Sequence, residues 1–244
     1  MKLAQQGDAD AQFKLGMSYD IDHDDVQAVY WYRKAAEQGH ADAQQHLGWM
    51  YGEGRGVAKD DVQAVYWYRK AAEQGFANGQ NSLAWMYSSG RGVALDYAQA
   101  VYWYRKAAEQ GDATAQFNLG IMYDNGRGVT KDEAQAVYWY RKAAEQGDAD
   151  AQFNLGNMYA NGQGVTKDEA QAVNWYRKAA EQGYASSQFN LGNMYDNGQG
   201  VTKDFAQAVI WYRKAAEQGH ASSQFNLGNM YANGRGVTKD EAQA

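Results

Sequence analysis

A chain of 244 residues with 45% apolar residues has enough hydrophobic material for a core, and its net charge of −6, with acids and bases interspersed, leaves no basic stripe for nucleic acid. The absence of cysteine removes disulfide frameworks and thiolate metal sites. No apolar run approaches the ~20 residues of a membrane span, and Met1–Gln6 lacks the apolar stretch of a signal peptide. As written the chain reads as cytoplasmic, and as periplasmic or secreted if a leader precedes it.

One string, Trp-Tyr-Arg-Lys-Ala-Ala-Glu-Gln-Gly, starts at Trp31, Trp67, Trp103, Trp139, Trp175 and Trp211, always 36 residues apart. A fixed period of that size marks a stacked array rather than ordinary domains. Counting from the glycine that closes the string gives repeats 7–38, 39–74, 75–110, 111–146, 147–182, 183–218 and a partial 219–244, one solenoid domain over 1–244. Residues 1–6 resemble the end of a preceding helix. The last repeat stops a few residues into its second helix, so the chain reads as an excerpt of a longer array.

The repeat from Gly111 shows the plan. Its first segment, 112–124, is predicted to be a helix with Ala115, Leu119, Met122 and Tyr123 on one side and Thr114, Phe117, Ile121 and Asp124 on the other. Gly120 costs a helix about 1 kcal/mol relative to Ala. Its recurrence, with Ala84 as the small substitute in the third repeat, implies a helix approaching closely. Asn125-Gly126-Arg127-Gly128-Val129 is a tight reversal with a lone apolar residue that plugs the core edge. Asp132 starts the second helix, spaced from Gln135 as in a capping box, a pair repeated at Asp60/Gln63, Asp96/Gln99, Asp168/Gln171 and Asp204/Gln207. Ala136, Val137, Trp139, Tyr140, Ala143 and Ala144 form the apolar face, Arg141 and Glu145 form an outer pair, and Gly147 ends the helix.

A helical hairpin of this kind cannot bury its stripe alone, and stacking buries it against neighbours. Ala115, Leu119, Gly120, Tyr123, Gly126, Gly128, Val129, Asp132, Ala136, Trp139, Tyr140, Ala143, Ala144 and Gly147 together resemble the Sel-one-like repeats, relatives of the tetratricopeptide repeats. The resemblance implies an all-α, right-handed α/α superhelical solenoid whose first helices line a concave groove, in a family of adaptors and scaffolds, frequently bacterial. Two departures stand out. The first repeat runs from Tyr19 through Asp20-Ile-Asp-His-Asp24 without the glycine loop. The paired cysteines of the secreted relatives, for which penicillin binding has been suggested, are missing, so that property does not carry over.

The groove side of the first helix is repeat positions 4, 7, 11 and 14. Position 7 carries Phe13, Gln45, Asn81, Phe117, Phe153, Phe189 and Phe225, and position 11 carries Met17, Trp49, Trp85, Ile121, Asn157, Asn193 and Asn229. The framework repeats while position 11 changes chemical class, as a docking surface requires and a spacer does not. Tryptophan and methionine are enriched in interface cores, and the asparagine amides suit an extended peptide backbone. The bland account is that Trp49 and Trp85 fill space left by a lost phenylalanine, and that asparagine tolerates solvent. Tyr30, Tyr66, Tyr102 and Tyr138 form a second column on the outer side, read as packing or as an outer binding stripe. Asp20 to Asp25 begins like a calcium loop but has Asp25 where glycine is needed and Trp31 where glutamate is needed, so it reads as a solvated capping turn. His23, His40, His46 and His220 form no catalytic group, and no nucleophile elbow, phosphate loop or metal-ligand box is present. The sequence therefore points to a non-enzymatic, cofactor-free scaffold. Its partner is a protein or peptide with an apolar centre and basic flanks. A ligand-binding protein taking a small molecule or cell-wall glycan near the tryptophans is the alternative.

Overall fold

The computed structural model describes residues 1–240 and 242. Among them all regular secondary structure is helical. The residues fall into two compact units, Met1–Lys131 and Asp132–Ala244. The first holds a short α1 (Lys2–Gln5), then α2 (Ala9–Ile21), α3 (Asp25–Glu37), α4 (Ala41–Glu53), α5 (Asp61–Glu73), α6 (Ala77–Ser89), α7 (Tyr97–Glu109) and α8 (Ala113–Asn125). The second holds α9 (Glu133–Glu145), α10 (Ala149–Asn161), α11 (Glu169–Glu181), α12 (Ala185–Asn197), α13 (Phe205–Glu217) and α14 (Ala221–Asn233). The helix expected after Asp240 lies outside the described residues.

Caps set the helix ends. Asp112 accepts from the Ala115 N–H at 2.7 Å and Asp148 from Ala151 at 2.8 Å, while the imidazole of His40 takes the same place for Ala43 at 3.3 Å. These first helices close on a left-handed glycine such as Gly126 (φ 65°). Asp60, Asp96, Asp132, Asp168 and Asp204 each accept from the N–H three residues on, as the spacing predicted. The reciprocal glutamine bond is not formed among the described residues. The cap N–H of Asp60, Asp96, Asp168 and Asp204 donates instead to the carbonyl of Tyr51, Tyr87, Tyr159 or Tyr195, at 2.9–3.0 Å. A backbone acceptor in the last turn of the preceding helix is already in place and costs no side-chain entropy.

Each core lies between one repeat and the next. In the first unit, Ala28, Val29, Tyr32 and Ala36 of α3 pack with Ala43, Leu47 and Met50 of α4, and Trp67 and Val57 flank them. In the second, Val173, Tyr176 and Ala180 of α11 pack with Leu191 and Met194 of α12 and Trp211 of α13, with Val201 at the edge. The loop valines thus sit where a core plug was expected.

The helix that approaches the recurring glycine does so through a tyrosine ring. A Cβ on Gly48 would lie 2.7 Å from Tyr68, and one on Gly192 2.6 Å from Tyr212. The second loop glycine meets backbone instead. At Gly92 and Gly200 a Cβ would collide with the backbone carbonyl of Asp61 or Glu169, at the start of the preceding repeat's second helix.

Polar side chains cross the same seams. Gln44 is buried, donates to the Ala36 carbonyl at 3.0 Å and accepts from Gln74 at 2.7 Å. The clasp recurs at Gln12/Gln38, Gln80/Gln110, Gln152/Gln182 and Gln188/Gln218. Arg141 does not form the expected outer pair with Glu145; it donates to the Tyr159 hydroxyl at 2.6 Å, and Arg33 does the same to Tyr51 at 2.7 Å. A phenol on the next helix offers a guanidinium a more sheltered partner than an exposed carboxylate one turn away.

Candidate functional site

The first-helix face differs from position to position in what its side chains already touch. Phe13, Phe153 and Phe189, at position 7, are half-buried and stack on the residue that opens the next repeat. Phe13 meets His40 at 4.7 Å, Phe153 meets Tyr184 at 5.2 Å and Phe189 meets His220 at 4.9 Å between ring centroids. Phe117 is also half-buried, whereas Phe225 is 70% exposed. The shared turn position of His40 and His220 is therefore structural: each caps a helix and stacks on a phenylalanine. Where phenylalanine is absent, Gln45 donates to Ser82 at 2.9 Å, and its Oε1 is buried with no donor among the described residues.

Position 11 splits by chemistry. Met17, Trp49 and Trp85 stand 39%, 38% and 44% exposed. Ile121 is half-buried. Each tryptophan is covered on one side by the arginine of its own loop, Arg55 over Trp49 and Arg91 over Trp85, both at 4.9 Å from the ring centre. Those arginines are in turn fixed. Arg55 pairs with Asp25 and, at 3.0 Å, with Asp20, and Arg91 pairs with Asp61. The arginine hydrogen bonds hold the Asp25 and Asp61 carboxyls below the ordinary carboxylate range.

The asparagines serve the interior. Asn157 accepts from the Tyr176 hydroxyl at 2.7 Å, and Asn193 from Tyr212 at 2.7 Å. Burial pushes both tyrosines up to about 12. In the first unit the same hydroxyl finds its partner at position 14, where Tyr32 donates to Asp20 at 3.4 Å and Tyr104 bonds Ser88 at 3.4 Å. Asn229 is exposed, and its carbonyl accepts from Asn233 at 2.8 Å.

The acidic stretch in the first repeat is a capping turn and an ion-pair anchor. Asp24 accepts from the Gln27 N–H at 3.1 Å, while Asp20 and Asp25 hold Arg55. His23 takes φ 60° in place of the missing glycine loop. On the outer side Tyr30, Tyr66, Tyr102 and Tyr138 are about half exposed, and each meets its neighbouring tryptophan edge-on at 4.8–5.0 Å. Among the described residues, no helix is long and apolar enough to cross a membrane.

Helix pairs stacked through interleaved cores, repeated clasps and closing glycines define an α-solenoid repeat protein. The chain belongs to the Sel1 repeat family, which matches it at residues 9–40, 41–76, 77–112, 113–148, 149–184, 185–220 and 221–244. Its solved relatives include a protective antigen present in uropathogenic Escherichia coli strains, 42% identical with a TM-score of 0.97. That likeness covers 99% of this chain and 53% of the antigen, so the chain spans about half its length. A Sel1 repeat protein from Oxalobacter formigenes is 35% identical with a TM-score of 0.82, over 94% of this chain and 92% of that one. No curated protein matches the chain. Proteins of the family are generally protein-interaction scaffolds.

Proposed function

We propose that the chain is a non-enzymatic scaffold or adaptor that docks a partner protein or peptide in a concave groove formed by the exposed face of its first helices. One observation carries the reading: Met17, Trp49 and Trp85 expose large apolar surface at the same repeat position, and the two tryptophans are held in place by arginines. Exposed tryptophans are the residues that dominate interface energy. Rings already clamped lose less freedom on binding. Repeat positions 7 and 11 also carry Phe13, Phe117 and Ile121 in the first unit and Phe153, Asn157, Phe189, Asn193, Phe225 and Asn229 in the second. The net charge of −6, with Asp42, Glu53 and Asp124 near the same face, supports a partner that is apolar at its centre and basic at its flanks. No observation favours a glycan or small-molecule ligand over a protein.

The test is a double substitution, Trp49→Asn and Trp85→Asn, which copies the residue of later repeats. A partner captured by the native chain is expected to bind more weakly by about 2 kcal/mol or more per true hot spot, with an unchanged helical spectrum. Unchanged affinity would remove the tryptophans from the site and redirect the search to Tyr30, Tyr66, Tyr102 and Tyr138.

A further inference from the structure

We infer that the pocket beside Trp49 is a receptor for one arginine side chain of the docked segment. This deepens the docking reading and rests on it. The pocket, about 370 Å³, is lined by Asp20, Gln45, His46, Trp49 and Asn78. Asp20 and Gln45 give it an acceptor side, while the Asn78 amide can both donate and accept. Gln45 has its amide nitrogen engaged by Ser82, which leaves a buried Oε1 with no donor among the described residues. His46 Nδ1 lies 2.8 Å from the Asp42 carbonyl oxygen. A carbonyl only accepts, so that nitrogen carries the hydrogen, and Nε2 is the ring nitrogen left for another partner. Asp20 adds a carboxylate. Its charge is shared with Arg55, but Arg55 also pairs with Asp25, so two carboxylates face one guanidinium and one negative charge is left over.

An amide oxygen, a carboxylate with excess negative charge and an indole wall ask for a cation with several donors. Arginine fits better than lysine. Its planar fork presents five N–H groups to separated acceptors and stacks on an aromatic face, whereas the ammonium is compact and more strongly hydrated. Trp49 already takes one guanidinium, that of Arg55, at 4.9 Å.

The probe is N-acetyl-arginine methylamide, titrated into the whole chain while the Trp49 indole and Gln45 amide signals are followed by NMR. Those two signals are expected to move and saturate. The citrulline counterpart, equal in shape but uncharged, is expected to bind about tenfold more weakly, because charge-assisted hydrogen bonds are the stronger ones. Gln45→Met should weaken arginine binding without changing the helical spectrum. Equal binding of citrulline, preference for the lysine counterpart, no movement at Trp49, or an unaffected Gln45→Met variant would each overturn the assignment. If a captured partner depends on Trp49 and Trp85 but arginine does not bind, the pocket assignment fails alone. If arginine binds and a captured partner does not compete with it, the docking reading fails alone.

Discussion

Residues 1–131 and 132–244 are built on one repeat but use its first-helix face in opposite ways. In the first unit the buried tyrosines Tyr32 and Tyr104 find their partners at position 14, on Asp20 and Ser88. Position 11 of those repeats is then free to carry Met17 and Trp85 outward. In the second unit position 11 is asparagine, and its side-chain oxygen satisfies Tyr176 and Tyr212 from within. One repeat position is a surface group in one region and a core partner in the other, and the need to satisfy a buried hydroxyl decides which. The second repeat departs from this rule: Trp49 is exposed at position 11 although Gly52 at position 14 offers the Tyr68 hydroxyl no side-chain acceptor.

The largest effect that sharpens this comparison lies in the second unit's core. Trp211 is 8% exposed and packs on Tyr176, Leu191 and Met194. Trp211→Ala is expected to cost roughly 3–5 kcal/mol, as core tryptophan truncations do. Trp67, only half-buried beside the α3–α4 core, should cost less when truncated. Because contacts are mostly between neighbouring repeats, hydrogen exchange after Trp211→Ala should accelerate in α11–α13 and leave α2–α5 protected. Uniform loss along the chain would contradict a nearest-neighbour array.

A smaller effect tests the two uses of position 11. Asn193→Leu removes the acceptor of the Tyr212 hydroxyl and is expected to cost about 1–3 kcal/mol, the penalty for a buried unpaired polar group. Trp49→Asn in the first unit loses its contact with Arg55, about 0.5–1 kcal/mol at an exposed site, and the burial of the covered part of its ring, but leaves no buried polar group unpaired. Urea denaturation of both variants decides it. If Trp49→Asn proves the costlier, Trp49 is core filler rather than a presented ring.

The repeat, the helix limits and the inward faces were legible because they are periodic: the tryptophan string, the capping aspartates and the closing glycines recur at fixed offsets. The glutamine clasp was equally periodic, Gln44 with Gln74 and its copies, but a polar residue beside Ala43 and Leu47 reads as surface until a second helix supplies its partners. The inward role of the asparagine column was hidden for the same reason. Asn157 and Asn193 face the groove in a wheel projection, yet each reaches a tyrosine hydroxyl from the paired helix, a contact that no single-helix pattern contains. Arg141 likewise looked paired with Glu145 along its own helix, while its acceptor, Tyr159, belongs to the next repeat.

The smallest effect concerns the seam arginines. Arg55 faces Asp25 and Arg91 faces Asp61 across consecutive repeats. In the second unit, Gln163 and Gln199 stand at the arginine position and Glu133 and Glu169 at the aspartate position, so the loop side of that contact carries no charge. Asp25 and Asp61 have folded pKa values lowered by the arginine hydrogen bonds. A lowered carboxyl binds fewer protons folded than unfolded, so its contribution is fully present above the unfolded value and disappears as pH falls through the folded one. Acidification below about pH 4, the ordinary carboxylate range, should therefore loosen the Arg55–Val57 and Arg91–Val93 loops. The 163–165 and 199–201 loops should respond less. Both carboxylates are partly open to solvent, so the effect is small and screened by salt. Comparing NMR shifts of these loop amides between pH 6 and pH 3 measures it, and Arg55→Gln with Arg91→Gln should erase the difference. Equal acid response of all four loops would show that the charged seams add nothing beyond the glycine contacts beneath them.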